Sequence, residues 1–177
     1  MKFIRIFFIS VIVSAVVSSC NTVPKEQQIE NIKKLEKDVF GSQSLDKDKG
    51  IEMINAYVEF SKKNPTDTIS ASFLFKAAEL SMNLQLGSQS IIYYDKIMKN
   101  YPEFNKVAEC LFLKAFVYEN QLQDMDNAKK YYSQFIEDYP NHPLVKDAEA
   151  SIKYLGKSPE ELVKMFQEQN QDTTASK

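Results

Sequence analysis

Residues 107–143, VAECLFLKAFVYENQLQDMDNAKKYYSQFIEDYPNHP, predict two α-helices joined by a short turn. Each half spaces apolar residues three and four positions apart, as one face of a helix does. Asp124 or Asp126 stands where the second helix would have its N-cap. Pro140 ends that helix, because proline lacks a backbone N–H and disfavours the helical conformation at Tyr139. The two faces comprise Leu111, Ala115, Tyr118 and Leu122, then Ala128, Tyr132, Phe135 and Tyr139.

The same pattern occurs earlier in the chain at a nearly constant offset. A shift of 38 positions toward the N-terminus reaches a second set of mostly apolar residues, with Tyr101-Pro102 in place of Tyr139-Pro140. A further shift of 37 reaches Pro65. Because one short helix pair cannot bury its apolar faces alone, the copies must stack on one another. The matched residues are Phe73, Ala77, Leu80 and Leu84, then Ser90, Tyr94, Ile97 and Tyr101, and in the earliest copy Met53, Tyr57 and Phe60.

Turn residues separate the predicted helices of the first two copies. A helix rich in Lys and Glu begins at Ile29, and residues 41–50, GSQSLDKDKG, precede a second helix over about 51–63. In the next copy, Gly87 is predicted to end the first helix in the left-handed conformation, and Ser88 to cap the second.

Two further helices are predicted after the last copy. Pro143 is predicted to be the first residue of one of them, which stops at Gly156. The other begins at the capping box of residues 158–161, Ser-Pro-Glu-Glu. The sequence thus predicts an all-α fold in which a helical repeat domain spans residues 29–169, and residues 170–177 form a flexible tail.

The first 20 residues, MKFIRIFFISVIVSAVVSSC, have the pattern of an export signal. Lys2 and Arg5 precede an apolar core of 12 residues, from position 6 to 17. This core is shorter than the roughly 20 residues that a membrane-spanning helix needs, which disfavours a transmembrane segment.

The end of this signal, Val17-Ser18-Ser19-Cys20, resembles the lipobox of bacterial lipoproteins, in which cleavage precedes a cysteine that receives lipid. The resemblance implies a signal peptide over residues 1–19, lipid attachment at Cys20 and a polar tether over residues 20–28. An ordinary secretory signal with an incidental cysteine is the alternative. Asn21 is not the Asp that retains enterobacterial lipoproteins at the inner membrane, so the resemblance favours the outer membrane.

Composition and motifs argue against most kinds of chemistry. With 22 basic and 24 acidic residues and no basic run, the chain has no electrostatic footprint for nucleic acid. Its 4 scattered glycines form no phosphate-binding loop. Residues 46–50, DKDKG, lack the ligands that a calcium loop needs at its fifth and twelfth positions. We therefore expect no enzyme, no cofactor, no metal and no small-molecule substrate.

Two isolated residues are predicted to be structural. His142, the single histidine, lies in a predicted turn, where a capping role is favoured over a catalytic or pH-sensing one. Cys110 is predicted to be a buried small hydrophobe, with a disulfide to another chain as the alternative. The paired tyrosines of the second helices are predicted to pack in the core, except Tyr93 and Tyr131, which a binding platform could use.

The helix-pair pattern resembles that of tetratricopeptide-repeat (TPR) proteins, of the kind found among bacterial envelope lipoproteins. Leu111, Ala115 and Tyr118, followed by Ala128, Tyr132, Phe135 and Pro140, stand where that family has its characteristic residues. The period of 37 to 38 exceeds the usual 34 or so, and the chain has no Trp. Such longer repeats are similar to those of the helical-repeat lipoprotein of the outer-membrane β-barrel assembly machinery and of the Tol-Pal coordinator family.

The resemblance implies a TPR-like α-α superhelix of about three helix pairs plus C-terminal capping helices. It also implies that other envelope proteins dock a peptide or helix on the concave side, which the first helix of each pair lines. The implied function is a lipid-anchored interaction scaffold of the bacterial cell envelope, with a role in outer-membrane biogenesis or envelope-complex assembly. A secretion or transport accessory that guides client chains is the alternative, and an envelope hydrolase is the least favoured. Carried over by position, the candidate partner-binding residues are Leu74, Ala78, Met82, Phe112, Phe116 and Asn120.

Overall fold

Stacked α-helices make up the protein. The computed structural model describes residues 23–41 and 45–175, and within these ranges the chain forms eight α-helices and no β-strand. From α1 to α7, each helix packs against the next one in the chain. This confirms the predicted all-α fold, with three helix pairs followed by two closing helices. The helices are α1 Lys25–Phe40, α2 Lys47–Lys63, α3 Thr68–Asn83, α4 Gly87–Asn100, α5 Val107–Asn120, α6 Met125–Asp138, α7 Val145–Tyr154 and α8 Pro159–Ala175.

Side-chain caps fix where several helices begin. Asp46, Asp67 and Asp124 each accept a hydrogen bond from a backbone N–H in the first turn of α2, α3 and α6. Asp124 is therefore the N-cap of α6, and Asp126 lies inside the helix. At the start of α8, the Ser158 N–H donates to Glu161 Oε2 and the Glu161 N–H donates to Ser158 Oγ, which confirms the predicted capping box.

The second helices of the three pairs present the same buried face. Tyr57, Tyr94 and Tyr132 occupy corresponding positions and are fully buried, as the repeat predicted. The next repeat covers this face: the ring of Phe73 on α3 lies 5.3 Å from that of Tyr57 and 4.8 Å from that of Phe60 on α2. Aromatic pairs of this kind stabilise the fold by more than the burial of their apolar area alone would.

The offset along the sequence between successive first helices differs from the offset between successive second helices. The helices α3 and α5 end at Asn83 and Asn120, 37 positions apart, whereas α4 and α6 end at Asn100 and Asp138, 38 positions apart. The cause is that the linker between α3 and α4, residues 84–86, is one residue shorter than the linker between α5 and α6, residues 121–124.

This difference corrects the predicted alignment of the first helices. The residue that corresponds to Ala115 is Ala78, whose carbonyl accepts a 2.8 Å hydrogen bond from Ser90 Oγ on α4. The predicted match, Ala77, is one position away, and one residue turns a helix by about 100°. The prediction that Leu122 belongs to the apolar face of this helix is also wrong, because α5 ends at Asn120 and the Leu122 side chain is exposed.

Two glycines predicted to lie in turns or caps belong to helices instead. Gly50 lies inside α2, and an added Cβ would come within 2.8 Å of Leu84 Cδ1. Gly87 is the first residue of α4, where a Cβ would meet the side chains of Val117 and Gln121. The left-handed residue of that hairpin is Gln85, with φ of 60°. Both glycines therefore serve the close approach of a neighbouring helix.

The ends of the domain differ from the predicted boundaries. The helix α1 begins at Lys25, within the segment predicted to be a tether, after Pro24 and a hydrogen bond from Gln28 Nε2 to the Val23 carbonyl. The helix α7 begins at Val145, so that Pro143 lies in the preceding turn rather than in the helix. The helix α8 extends to Ala175, into the predicted tail.

The predicted signal peptide, residues 1–19, and the predicted lipid attachment site, Cys20, lie outside the described residues. None of the helices within the described ranges is long and apolar enough to cross a membrane.

Candidate partner-binding surface

The predicted partner-binding residues divide into buried and accessible ones. Leu74 and Ala78 are buried in the core, so their prediction as contact residues is wrong. The one-residue offset is the reason, because it turns these side chains of α3 away from the face that Phe116 and Asn120 share on α5. Met82 is partly buried against the core.

On α5 the predicted residues lie at or near the surface. The ring of Phe112 is partly buried and lies 5.4 Å from that of Tyr132 and 5.5 Å from that of Phe135, which shows an intramolecular packing role. The Phe116 side chain is 38 % exposed, and the Asn120 amide donates to its carbonyl. Their role in binding a partner stays a prediction.

The offset of 37 assigns a different set of α3 residues to this face. Ser72, Glu79 and Asn83 now correspond to Glu109, Phe116 and Asn120, and none of the three is buried. Phe75, which corresponds to Phe112, is covered by the inter-repeat loop: Lys106 Nζ lies 4.5 Å from its ring centroid. The accessible face of α3 is therefore polar at its surface and apolar underneath.

A groove of about 490 Å³ lies between this face of α3 and the C-terminal half of α1. Its accessible apolar surface comes from Phe40 at the end of α1, which is 58 % exposed, and from the partly buried Met82 on α3. The sequence-based prediction did not include this groove, because it applied the offset of the second helices, 38 positions, to the first helices as well. We call it the α1–α3 groove; it is lined by Glu36, Phe40, Tyr57, Lys76, Glu79, Leu80, Met82 and Asn83.

One carboxylate in the groove is fully engaged. Glu36 Oε1 accepts hydrogen bonds from Lys76 Nζ at 2.6 Å and from the Tyr57 hydroxyl at 2.7 Å. Burial opposes ionisation of Glu36, but these two donors together outweigh it and lower the pKa of the carboxyl below its ordinary value. Glu36 therefore joins the first two helix pairs.

The other carboxylate has no such partner. Glu79 makes no hydrogen bond or ion pair among the described residues. Burial raises the pKa of its carboxyl, and the more distant charges of Lys106 and Lys76 only partly oppose this effect. The side-chain amide of Asn83 also has no hydrogen-bond partner within the part of the chain that is described. The groove thus offers unpaired polar groups beside an apolar surface.

The tyrosines predicted to form a platform do not lie together. Tyr93 is buried, so a binding platform cannot use it. Tyr131 is half-buried and stacks on Tyr118 with ring centroids 5.4 Å apart. Lys114 Nζ lies 4.0 Å from the Tyr131 ring and 2.7 Å from Asp95 Oδ1. These contacts occupy Tyr131 in joining α4, α5 and α6.

Cys110 and His142 have the structural positions that the sequence predicted. Cys110 is fully buried, and burial raises the pKa of its thiol to about 12. His142 Nδ1 accepts a hydrogen bond from the Leu144 N–H, and its ring lies edge-on to Phe135. Within the described ranges, no group of His, Cys, Asp and Glu side chains could hold a metal ion.

Comparison with known families agrees with this architecture. The tetratricopeptide repeat family matches residues 109–142, which cover most of α5, all of α6 and the turn that follows. One helix pair of the chain thus matches the repeat family, and the described all-α architecture is TPR-like. The match lies on the helix pair that predicted the fold, and α1–α4 extend the same TPR-like arrangement toward the N-terminus. None of the curated proteins that were compared with the chain matches it.

TPR-like repeats generally mediate protein–protein binding, and the fold is typically a non-catalytic interaction scaffold. The α1–α3 groove lies at the N-terminal end of the accessible face of the first helices.

Proposed function

We propose that this TPR-like protein is a lipid-anchored interaction scaffold of the bacterial cell envelope. In this proposal, Cys20 carries the lipid, and the first helices α1, α3 and α5 bind segments of other envelope proteins. The observation that carries the binding role is the α1–α3 groove, in which unpaired polar groups border an exposed aromatic side chain. Such surfaces are typical of protein-binding sites.

The anchor is supported by the lipobox-like sequence that ends at Cys20. Only four residues separate Cys20 from the start of α1 at Lys25, and the five steps along the chain span at most about 18 Å. A lipid on Cys20 would therefore hold α1 and the α1–α3 groove close to the membrane surface. Asn21 favours the outer membrane, and a role in outer-membrane biogenesis or envelope-complex assembly would suit this location.

Metabolic labelling with palmitate tests the anchor. The wild-type chain should incorporate the label and fractionate with membranes, whereas Cys20→Ser should lose both properties. Cys110→Ser is the matched control, because the buried Cys110 should leave labelling unchanged. Equal labelling of wild type and Cys20→Ser would refute lipid attachment at Cys20.

Crosslinking in intact cells, followed by identification of the captured proteins, tests the scaffold role. A small and reproducible set of envelope proteins, with a β-barrel assembly protein among them, would support the proposal. Many unrelated chains would favour an accessory that guides clients. No captured protein at all would contradict both.

A further inference from the structure

We infer that the α1–α3 groove binds a partner segment in which an apolar side chain is followed closely by a lysine or arginine. This inference rests on the proposed scaffold function and names the chemistry of the partner. It assigns the binding site to the N-terminal end of the repeat stack, away from the α5 residues that the sequence favoured.

The apolar requirement follows from Phe40. Its ring is more exposed than any other large apolar side chain in the described ranges, at 58 %. It projects from the last turn of α1 into the lining of the groove, which also contains the partly buried Met82. An exposed phenylalanine beside a concave apolar surface is stabilised when a partner covers it. A large apolar side chain inserted next to Phe40 would remove the accessible parts of Phe40 and Met82 from water.

The cationic requirement follows from the balance of charge in the groove. Its lining contains two glutamates, Glu36 and Glu79, and one lysine, Lys76. Lys76 is engaged by Glu36 at 2.6 Å, so its charge is compensated within the protein. Glu79 remains as the charged group of the lining that has no direct ion-pair partner in the described part of the chain.

The position of Glu79 makes this charge available to a partner. Its carboxylate is partly removed from water, and no donor in the described part of the chain contacts it. Lys106, whose charge acts on Glu79 from the inter-repeat loop, holds its Nζ 4.5 Å from the centroid of the Phe75 ring. A lysine or arginine from a bound segment could donate directly to Glu79, and such a charge-assisted hydrogen bond is stronger than a neutral one.

Asn83 suggests how the backbone of the segment would be held. Its amide lies in the lining one turn beyond Glu79 and carries both a donor and an acceptor without a partner in the described residues. A peptide group crossing the rim of the groove could satisfy both. Side-chain contacts at Phe40 and Glu79 would then provide the selectivity.

Fluorescence anisotropy with four labelled nine-residue peptides tests the inference. The peptides share an Ala-Ser background and differ at two central positions, which are Leu-Lys, Leu-Ser, Leu-Glu or Ala-Lys. They are titrated with the mature chain carrying Cys20→Ser. We expect the Leu-Lys peptide to bind about fivefold tighter than Leu-Ser, as one partly exposed ion pair allows. Leu-Glu and Ala-Lys should bind more weakly than Leu-Lys.

Variants of the protein locate the binding. Glu79→Gln should remove the preference for Leu-Lys over Leu-Ser and leave Leu-Ser binding unchanged. Phe40→Ala should weaken the binding of every Leu peptide. Phe166→Ala is the matched control, since it removes another exposed phenylalanine that lies outside the groove lining and should change nothing. Circular dichroism of each variant verifies that the helices are intact.

Several results would overturn the inference: no saturable binding of Leu-Lys, a preference for Leu-Glu, or equal binding to wild type and Phe40→Ala. The in-cell crosslinking separates this failure from failure of the scaffold proposal. If Phe40→Ala and Glu79→Gln capture the wild-type set of envelope proteins in wild-type amounts, the scaffold stands and the groove assignment is wrong. If wild type captures nothing, the scaffold proposal itself fails.

Discussion

The Tyr132 hydroxyl donates a 2.8 Å hydrogen bond to Glu119 Oε2, which joins the second helix of its pair to the first. The first pair has the same contact, from the Tyr57 hydroxyl to Glu36. In the middle pair, Met82 occupies the position that corresponds to Glu119, and the buried Tyr94 hydroxyl has no hydrogen-bond partner among the described residues. The three repeats therefore share a buried tyrosine but differ in whether its hydroxyl is satisfied.

Replacing each tyrosine by phenylalanine should separate these cases. Tyr57→Phe and Tyr132→Phe each remove a hydrogen bond to a carboxylate, which we expect to cost about 1.5–3 kcal/mol of unfolding free energy. Tyr94→Phe removes an unpaired buried hydroxyl and should be neutral or stabilising. Urea unfolding followed by circular dichroism measures the three values. A loss for Tyr94→Phe as large as for Tyr132→Phe would contradict this account.

A carboxylate introduced beside Tyr94 should couple to its hydroxyl. In Met82→Glu the new side chain occupies the position of Glu119, so it can accept the missing hydrogen bond. Loss of the partly buried Met82 side chain opposes this gain, so the coupling matters more than the net stability. A double-mutant cycle with Tyr94→Phe should give a favourable coupling of about 1 kcal/mol or more. A coupling near zero would show that the two side chains do not meet.

The sequence predicted most of the fold because the features that carry it are local. The spacing of Tyr132 and Phe135, the Tyr139-Pro140 ending and the capping box at Ser158 each act within a few residues, and the structure contains all of them. The family match over residues 109–142 lies on the same helix pair. Periodicity and cap chemistry therefore suffice to predict helix pairs that stack.

The sequence predicted the binding surface poorly because that surface depends on the register between helices. One residue fewer in the linker after α3 turns its accessible face, so Glu79 and Asn83 take the place assigned to Ala78 and Met82. Counting the offset separately for first and second helices could have shown this. The contact between Glu36, Tyr57 and Lys76 joins three helices and had no local signal.

Gly87 should tolerate alanine less well than the equally buried Gly50. At Gly87 an added Cβ would lie 3.0 Å from Val117 Cγ1 and 3.1 Å from Gln121 Cβ, both close to the backbone of α5. We expect Gly87→Ala to cost about 1–3 kcal/mol, since overpacking outweighs the gain in helix propensity. At Gly50 the Cβ meets only the end of the Leu84 side chain, which can move. Thermal unfolding compares the two; equal stability would show that α4 and α5 can separate without cost.

Cys110 should react with thiol reagents only when the protein unfolds. Its side chain is fully buried, and burial raises the pKa of the thiol to about 12, so at neutral pH it is neither accessible nor ionised. Labelling of the Cys20→Ser chain with iodoacetamide, followed by mass spectrometry, should be negligible in buffer and complete in urea. Rapid labelling of the folded chain, or a disulfide-linked dimer without reductant, would support the alternative that Cys110 pairs with another chain.

Glu36 and Glu79 should affect the pH dependence of stability in opposite directions. The folded chain lowers the pKa of Glu36, so this carboxylate contributes stability above its ordinary pKa of 4.5, and that contribution is lost as the pH falls through the folded pKa. Burial raises the pKa of Glu79, so its ionisation reduces stability as the pH rises from 4.5 through the folded pKa. At pH 7, Glu36→Gln should therefore be less stable than wild type by about 1 kcal/mol, and Glu79→Gln more stable by a smaller amount. At pH 3 both differences in unfolding free energy should shrink toward the cost of the amide substitution alone. Urea unfolding at each pH measures them. If Glu36→Gln keeps the same deficit at pH 3 as at pH 7, the contribution of Glu36 does not come from its charge.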